Sequence, residues 1–272
     1  MFRSPGAIAI ELGPLGIRWY GVLIASGMAL GLWLASREAR RRGEDSEALI
    51  KAAELALVGG LIGARLYYVL FNWDYYSQFP GKIIAVWEGG LAIHGGLIAG
   101  LLVGGLYAWL KRLPILTYLD IVAPSLALGQ AVGRWGNFFN EEAFGRPTDL
   151  PWKLYISASH RPPEFARAEF FHPTFLYESL WDVGVLILCL LFRRQLAPAQ
   201  GSLFLLYLGC YSVGRLLIEG LRTDSLMLGP IRVAQLVSGL GIALAIAGIP
   251  LLWRRRRDSA ETARRRMRPG AS

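Results

Sequence analysis

The sequence is poor in cysteine, histidine and charged residues. Two cysteines and three histidines occur among 272 residues, and no histidines have the HExxH spacing that binds zinc. We therefore expect no disulfide framework, no metal centre and no cofactor. Charged residues make up 18% of the chain and hydrophobic residues 54%, which excludes an intrinsically disordered protein and is unusual for a soluble enzyme. The N-terminus also lacks the basic segment and cleavage site of a removable signal peptide.

Several uncharged runs are long enough to cross the hydrocarbon core of a bilayer, which is about 30 Å thick. The apolar runs and their flanks predict seven helices, over residues 17–36, 52–71, 89–110, 115–133, 176–192, 201–219 and 233–253. The fold class that we expect is all-α, a polytopic membrane protein with seven transmembrane helices.

The basic residues lie mainly in the connections between these helices and predict their orientation. Alternate connections, with the C-terminal tail, hold 17 Lys and Arg, whereas the longer connections on the opposite side hold 10. By the positive-inside rule the first set is cytoplasmic, so the N-terminus is outside and the C-terminus is inside. Residues 1–253 then form a seven-helix transmembrane domain with a small exterior head, about 134–175, between the fourth and fifth helices. Residues 254–272 form a basic cytoplasmic tail.

The formal net charge of +9 raises the question of a nucleic-acid partner. We expect none, because the basic residues flank apolar helices instead of covering a polar domain. The lipid bilayer is the partner that this distribution indicates.

Charged residues inside a membrane are costly and mark functional sites by default. Arg65 and Arg215 lie in the outer halves of the second and sixth predicted helices, and Arg134 lies at the outer end of the fourth. His94 lies in the outer part of the third helix. Polar groups of four helices are therefore expected at one depth.

Arg215, Glu219 and Arg222 follow the spacing i, i+4, i+7, which places them on one helix face. One interpretation is an internal ion-pair network. The other is an anionic ligand, because we expect the arginines at this depth to outnumber carboxylates such as Glu142 and Glu219. Guanidinium groups bind phosphate in a bidentate manner, so a phospholipid is the ligand that we favour.

His94 precedes Gly95 and Gly96, which leave its imidazole uncrowded. A neutral imidazole is suited to proton abstraction near neutral pH. The alternative is a histidine that only packs between helices, and the residues alone leave both open.

Six segments resemble the prolipoprotein diacylglyceryl transferase family, in the family's order and across roughly residues 16–253. They are Trp19-Tyr20-Gly21, Gly63-Ala64-Arg65, Gly89-Gly90 with His94-Gly95-Gly96, Gly133 to Gly145 (GRWGNFFNEEAFG), His172-Pro173 with Tyr177-Glu178, and Arg215 with Glu219 and Arg222. The loop between Gly145 and His172 and the basic tail match no pattern of the family.

The resemblance implies a bacterial enzyme that moves the diacylglyceryl group of phosphatidylglycerol to the lipobox cysteine thiol of a prolipoprotein and releases glycerol 1-phosphate. It implies an active site toward the exterior leaflet of the cytoplasmic membrane. By matching motif, the essential residues are His94, Arg134 and Arg215, and the remaining motif positions are Tyr20, Asn137, Glu142 and Gly145.

Our own interpretation of the residues adds four positions to the substrate site. Asn140 is expected to orient the head group with Asn137 and Glu142, and Glu219 is expected to hold Arg215 or Arg222. Arg65 is a candidate either for ligand binding or for pairing with Glu88 or Glu142, and Arg222 is the fourth position. Tyr20 is either a ligand contact or an aromatic anchor at the interface.

Two other function classes compete with a transferase. A seven-helix protein with an arginine-lined cavity is also suited to moving a phospholipid or an anion across the membrane. A lipid-binding scaffold without catalysis would explain the arginines but not His94.

Overall fold

A computed structural model of the chain describes residues 1–12 and 15–266. Its α-helices are α1 (Trp19–Arg42), α2 (Ser46–Phe71), α3 (Trp73–Tyr76), α4 (Ile93–Leu110), α5 (Ile115–Asn140), α6 (Thr174–Leu196), α7 (Ser202–Glu219) and α8 (Val233–Arg266). All except the short α3 are long and apolar enough to cross a membrane. The protein is therefore a mostly helical, multi-pass membrane protein, which confirms the predicted fold class. Residues 267–272 of the predicted tail lie outside the described residues.

Short β-strands, which we did not predict, lie before α1 and between some of the later helices. They are β1 (Phe2–Arg3), β2 (Ile8–Leu12), β3 (Leu15–Arg18), β4 (Leu154–Tyr155), β5 (Phe170–Phe171), β6 (Met227–Leu228) and β7 (Ile231–Arg232). β1 pairs in parallel with β4, and β4 pairs antiparallel with β5. The hairpins β2–β3 and β6–β7 are separate.

Several helix ends differ from the predicted ones for local reasons. α2 begins earlier than predicted because the Asp45 carboxylate accepts hydrogen bonds from the backbone N–H groups of Glu47 and Ala48, which caps the helix. α4 begins only at Ile93, because Gly89 and Gly90 have φ of 89° and 76°. Polar residues continue α1 and α5 beyond the apolar runs from which their ends were predicted.

The chain forms two compact units. The larger unit contains residues Met1–Leu34 and Leu119–Ser272, and the smaller one contains Ala35–Tyr118. In the larger unit, the segment between α5 and α6 packs around an apolar cluster. Its buried members are Phe138, Phe144, Leu154, Ile156, Phe171 and Phe175.

A second buried cluster of the larger unit lies between α5, α6 and α7 and includes Ala127, Cys189 and Leu203. At the N-terminal end of α7, the buried Asp120 carboxylate accepts hydrogen bonds from the backbone N–H groups of Gly201 and Phe204, both at 2.9 Å. Asp120 therefore satisfies the free N–H groups that begin α7. A carboxylate inside a predicted helix has a structural role here.

In the smaller unit, α2 and α4 cross at glycines. A Cβ added at Gly63 would lie 2.7 Å from the Gly95 carbonyl oxygen, so only hydrogen fits there. Small residues let two membrane helices approach this closely. The contact fixes the first turn of α4, which carries His94.

Candidate functional site

Three helices of the larger unit bring charged side chains together. Arg134 comes from near the end of α5, Glu178 from the first turns of α6, and Arg215 from near the end of α7. One Glu178 oxygen lies 2.9 Å from Arg134 Nη1, and the other accepts a hydrogen bond from Arg215 Nη1 at 2.5 Å. Glu178 is 4% exposed, so a buried carboxylate joins the two arginines.

Glu219 and Arg222 extend this cluster. Glu219 lies one turn after Arg215, as the spacing predicted, but the expected helix face does not include Arg222, because α7 ends at Glu219 and Arg222 lies beyond it in a β-bridge with Gly145. Arg215 Nη2 lies 2.7 Å from a Glu219 oxygen, and Arg222 Nη1 donates to Glu178 at 3.4 Å. Arg222 also forms two hydrogen bonds to the exposed Asp224, at 2.9 and 2.7 Å. Burial lowers the Arg222 pKa, but the hydrogen bond to Asp224 and the nearby carboxylates outweigh it and raise the pKa above its usual value. Arg222 therefore stays charged.

A small cavity opens beside these ion pairs, within the larger unit. Its lining combines two arginines, two acids and an apolar wall: Arg134, Glu178, Trp181, Asp182, Tyr211, Gly214, Arg215 and Ile218. A Cβ at Gly214 would overlap the indole ring of Trp181, so a glycine is required for this packing.

The expected excess of arginine over carboxylate is wrong for this cluster. Glu178 and Asp182, both buried in α6, were left out of the count of charges within the membrane. Three arginines face Glu178, Glu219 and Asp182, and Arg222 has Asp224 as well. Without a bound ligand, this group of arginines and carboxylates is therefore close to neutral.

The rule that intramembrane charges mark function would have found both acids, because both lie in the fifth predicted helix. From the sequence, Glu178 is identified only within the Tyr177-Glu178 motif, and Asp182 is not identified. Their i, i+4 spacing places them on one helix face.

Asn137, Asn140 and Glu142 form a second polar group at the end of α5. Both asparagine side chains donate to the same Glu142 oxygen, at 3.0 and 3.3 Å. Glu142 is exposed, whereas the asparagines are half-buried. The structure therefore brings these three predicted site residues together.

Tyr20 packs in the same unit against Gly136 of α5. A Cβ at Gly136 would lie 2.5 Å from a Tyr20 ring carbon. The glycine of the Gly133–Gly145 segment therefore makes room for the ring, which gives Tyr20 a packing role whether or not it also contacts a ligand.

Gly145 lies against the residue pair that precedes α6. Its N–H donates to the His172 carbonyl at 3.0 Å, and a Cβ would lie 2.7 Å from the His172 Cβ. Gly145 also forms a β-bridge with Arg222. The His172 ring lies 3.2 Å from the Tyr177 hydroxyl, and burial lowers its pKa.

Arg65, in the smaller unit, is bound by backbone carbonyl groups. Its guanidinium donates five hydrogen bonds, and the acceptors are the carbonyl oxygens of Lys82 (2.6 Å), Ile83 (2.8 Å), Ala85 (3.2 Å), Gly89 (2.5 Å) and Gly90 (2.9 Å). Arginine has five N–H groups, so all of them are used. Neither glutamate considered as a partner for Arg65 binds it: Glu88 pairs with Lys82, and Glu142 accepts hydrogen bonds from Asn137 and Asn140.

His94 is the second residue of α4 and is exposed in the structure. Its ring centroid lies 6.4 Å from that of Tyr67 on α2. The segment that Arg65 binds leads directly into this helix turn, and Ala92 N–H donates to the Ala64 carbonyl at 3.0 Å. Arg65 and its carbonyl partners therefore hold the backbone that carries His94.

Comparisons with known sequences cover nearly the whole chain. The sequence model of the prolipoprotein diacylglyceryl transferase family matches residues 7–253. The phosphatidylglycerol–prolipoprotein diacylglyceryl transferase of Trichormus variabilis is 54% identical over 262 residues, which are 94% of this chain and 93% of the relative. Proteins of the same name from Synechococcus elongatus and Gloeobacter violaceus are 50% and 49% identical, over 97% and 96% of this chain and 93% and 97% of the relatives.

Proposed function

The chain belongs to the prolipoprotein diacylglyceryl transferase family, and on this premise we propose that it transfers the diacylglyceryl group of phosphatidylglycerol to a prolipoprotein cysteine thiol. The cysteine is that of the lipobox, the product is a thioether, and glycerol 1-phosphate leaves. The observation that carries this proposal is that Arg134 and Arg215 line one cavity between three apolar helices. Arginine side chains beside a cavity between apolar helices support binding of a phosphate group there.

Arg134 and Arg215 bind the lipid phosphate in this proposal. Glu178 and Glu219 hold two N–H groups of Arg215, and arginine has five, so donors remain for a ligand. As the bond between the glyceryl carbon and the phosphate oxygen breaks, its electron pair goes to that oxygen. Positive groups fixed in advance stabilise the charge that grows there.

His94 takes the thiol proton, and the thiolate forms the new carbon–sulfur bond. A thiolate is the nucleophilic form of cysteine, so a base beside the thiol raises the reactive fraction. The exposed position of His94 in the first turn of α4 supports this role, since a substrate can reach the imidazole.

The remaining predicted site residues have supporting roles in this proposal. Asn137, Asn140 and Glu142 orient the head group, Glu219 and Arg222 hold the charged face, and Gly145 fixes the turn before α6. Tyr20 packs against Gly136, near the C-terminal end of α5. Arg65 holds the segment before His94, since its donors are all bound by carbonyl groups.

We further propose the location that the distribution of basic residues supports. The protein lies in the bacterial cytoplasmic membrane, with its N-terminus and active site on the exterior side and its C-terminus in the cytoplasm. Residues 1–253 form the catalytic domain with the exterior head, and residues 254–272 form the tail.

The test is a transfer assay with purified protein, phosphatidylglycerol micelles and a lipobox peptide. The wild type is expected to add a diacylglyceryl mass to the peptide and to release an equal amount of glycerol phosphate. His94→Asn is expected to bind lipid but lose transfer, while His160→Asn, at an exposed histidine, serves as the matched control. A wild type that binds lipid without any mass gain would contradict the enzyme and favour a lipid transporter.

A further inference from the structure

The buried acid Asp182 lies in the cavity of the arginine cluster and has no role in the proposed reaction so far. It is 2% exposed and lines the cavity with Arg134 and Arg215. Its oxygen Oδ2 is buried and has no hydrogen-bond partner among the described residues. A buried ionised carboxylate normally accepts hydrogen bonds at both oxygens. The free Oδ2 atom therefore does not fit an ionised carboxylate with a purely structural role.

Asp120 in the same unit shows the contrast. Each of its carboxylate oxygens accepts a backbone hydrogen bond at 2.9 Å, and the residue caps α7. Glu178 Oε2 and Glu219 Oε2 also accept no hydrogen bond, but they lie 2.9 Å from Arg134 and 2.7 Å from Arg215, respectively, in ion pairs. Asp182 has neither a hydrogen bond at Oδ2 nor an ion pair among the described residues, and it differs from the other buried acids in this respect.

The charge balance of the cluster gives the second argument. Arg222 is paired mainly with Asp224, so Arg134 and Arg215 remain to offset Glu178, Glu219 and Asp182, and this group carries one net negative charge if Asp182 is ionised. A phosphodiester brings one more negative charge, which would be uncompensated between apolar helices and costly. If Asp182 is protonated, the group is neutral before the lipid binds, and the phosphodiester meets one negative charge fewer.

We propose that Asp182 is a further residue of the lipid-binding site, which works as a neutral acid and donates a hydrogen bond to the phosphate of phosphatidylglycerol. This inference rests on the proposed function, because it takes phosphatidylglycerol as the ligand. The O–H group of a protonated carboxyl is a donor, whereas an ionised carboxylate only accepts. The same proton removes the repulsion between the acid and the phosphate.

Other groups that face Asp182 can affect its ionisation. They are Arg134 from α5, Glu178 from its own helix, and Tyr207, Tyr211 and Arg215 from α7. The arginines favour the ionised form and Glu178 opposes it. A test must therefore change Asp182 itself.

The experiment measures binding of short-chain phosphatidylglycerol in neutral detergent, from about pH 6 to about pH 10, with phosphatidylcholine as the lipid control. Once Asp182 ionises, the wild-type affinity is expected to fall by up to about tenfold for each further pH unit. Asp182→Asn keeps the shape and a hydrogen-bond donor but does not ionise in this range. The lipid affinity of this variant is therefore expected not to fall as the pH rises. Asp149→Asn, at a fully exposed acid, is the matched control and should follow the wild type.

Two results would overturn the inference. One is an Asp182→Asn protein with the same fall in affinity as the wild type. The other is a folded Asp182→Asn protein that binds no lipid at any pH, which would show that the ionised carboxylate is required.

A second measurement keeps the test decisive if Asp182→Asn does not fold. Infrared spectra of wild-type protein with isotope-labelled aspartate, bound to phosphatidylglycerol at neutral pH, should contain the band of a protonated aspartic acid, and its absence would contradict the inference. The transfer assay is run on the same wild-type protein. If the wild type forms product but the lipid affinity of Asp182→Asn falls with pH as the wild-type affinity does, only this inference is wrong. If the wild type forms no product, the proposed function is wrong.

Discussion

The two units of the molecule use intramembrane arginine in different ways. In the smaller unit, Arg65 gives all five N–H groups to backbone carbonyl oxygens of the segment before α4. In the larger unit, Arg134 and Arg215 are joined through the side chain of Glu178 and line a cavity. From this difference in partners we propose that Arg65 holds the fold and that Arg134 and Arg215 bind the ligand.

The largest effect is expected from removing a cavity arginine. Arg215→Ala and Arg134→Ala should each lower the transfer rate by about 10²- to 10³-fold, because each loses a positive group at the phosphate. The assay compares both with Arg167→Ala, at an exposed arginine between α5 and α6. A folded Arg215→Ala protein with nearly full activity would remove the cavity arginines from the mechanism.

A large loss of stability is expected from Arg65→Met. Five carbonyl oxygens lose their donor, and each buried group left unsatisfied costs about 1–3 kcal/mol. Thermal unfolding in detergent measures this loss, with Lys51→Ala on the same helix as control, because the exposed Lys51–Glu54 pair contributes about 0–1 kcal/mol. If Arg65→Met unfolds at the wild-type temperature, the carbonyl network does not stabilise the segment.

A smaller effect is expected from Asp120→Ala in the larger unit. The change removes the cap of α7 and should lower stability by about 0.5–2 kcal/mol. Phosphatidylglycerol affinity per folded molecule should not change, because Asp120 is absent from the cavity lining. Chemical denaturation and lipid titration check the two parts, and a loss of affinity with intact stability would contradict the capping role.

The smallest effect concerns His172. Burial lowers its pKa in the folded state, so the unfolded chain binds the proton more tightly. Stability should therefore be complete above the unfolded pKa of about 6.5 and should decrease as the pH falls below it. His172→Asn is expected to reduce this decrease in thermal unfolding curves, and an unchanged curve would exclude His172 as its source.

The helices could be predicted from the sequence because apolar length is a strong signal. Their ends depend on local details, such as the positive φ of Gly89 and Gly90, which delays α4 to Ile93. The strands β1 and β4 pair residues about 150 positions apart and give no local pattern.

The site was predictable in part. The spacing of Arg215 and Glu219 correctly predicted their ion pair, since residues four apart are neighbours on a helix. The same spacing was wrong for Arg222, which lies beyond the end of α7 and reaches Glu178 from a β-bridge with Gly145. The partners of Arg65 were not predictable, because backbone carbonyl oxygens carry no residue-specific signal. Asp182 was missed although its position inside an apolar helix was visible in the sequence.

The most direct test of the contrast between the two arginine environments is the phosphatidylglycerol affinity of Arg215→Lys and Arg65→Lys, measured per folded molecule. Lysine keeps the charge but loses the planar, bidentate group. We predict that Arg215→Lys weakens lipid binding by tenfold or more, as expected for loss of about 1.4 kcal/mol, while folded Arg65→Lys binds within about twofold of the wild type. An equal loss in the two variants would contradict the distinction between a ligand-binding and a fold-holding arginine.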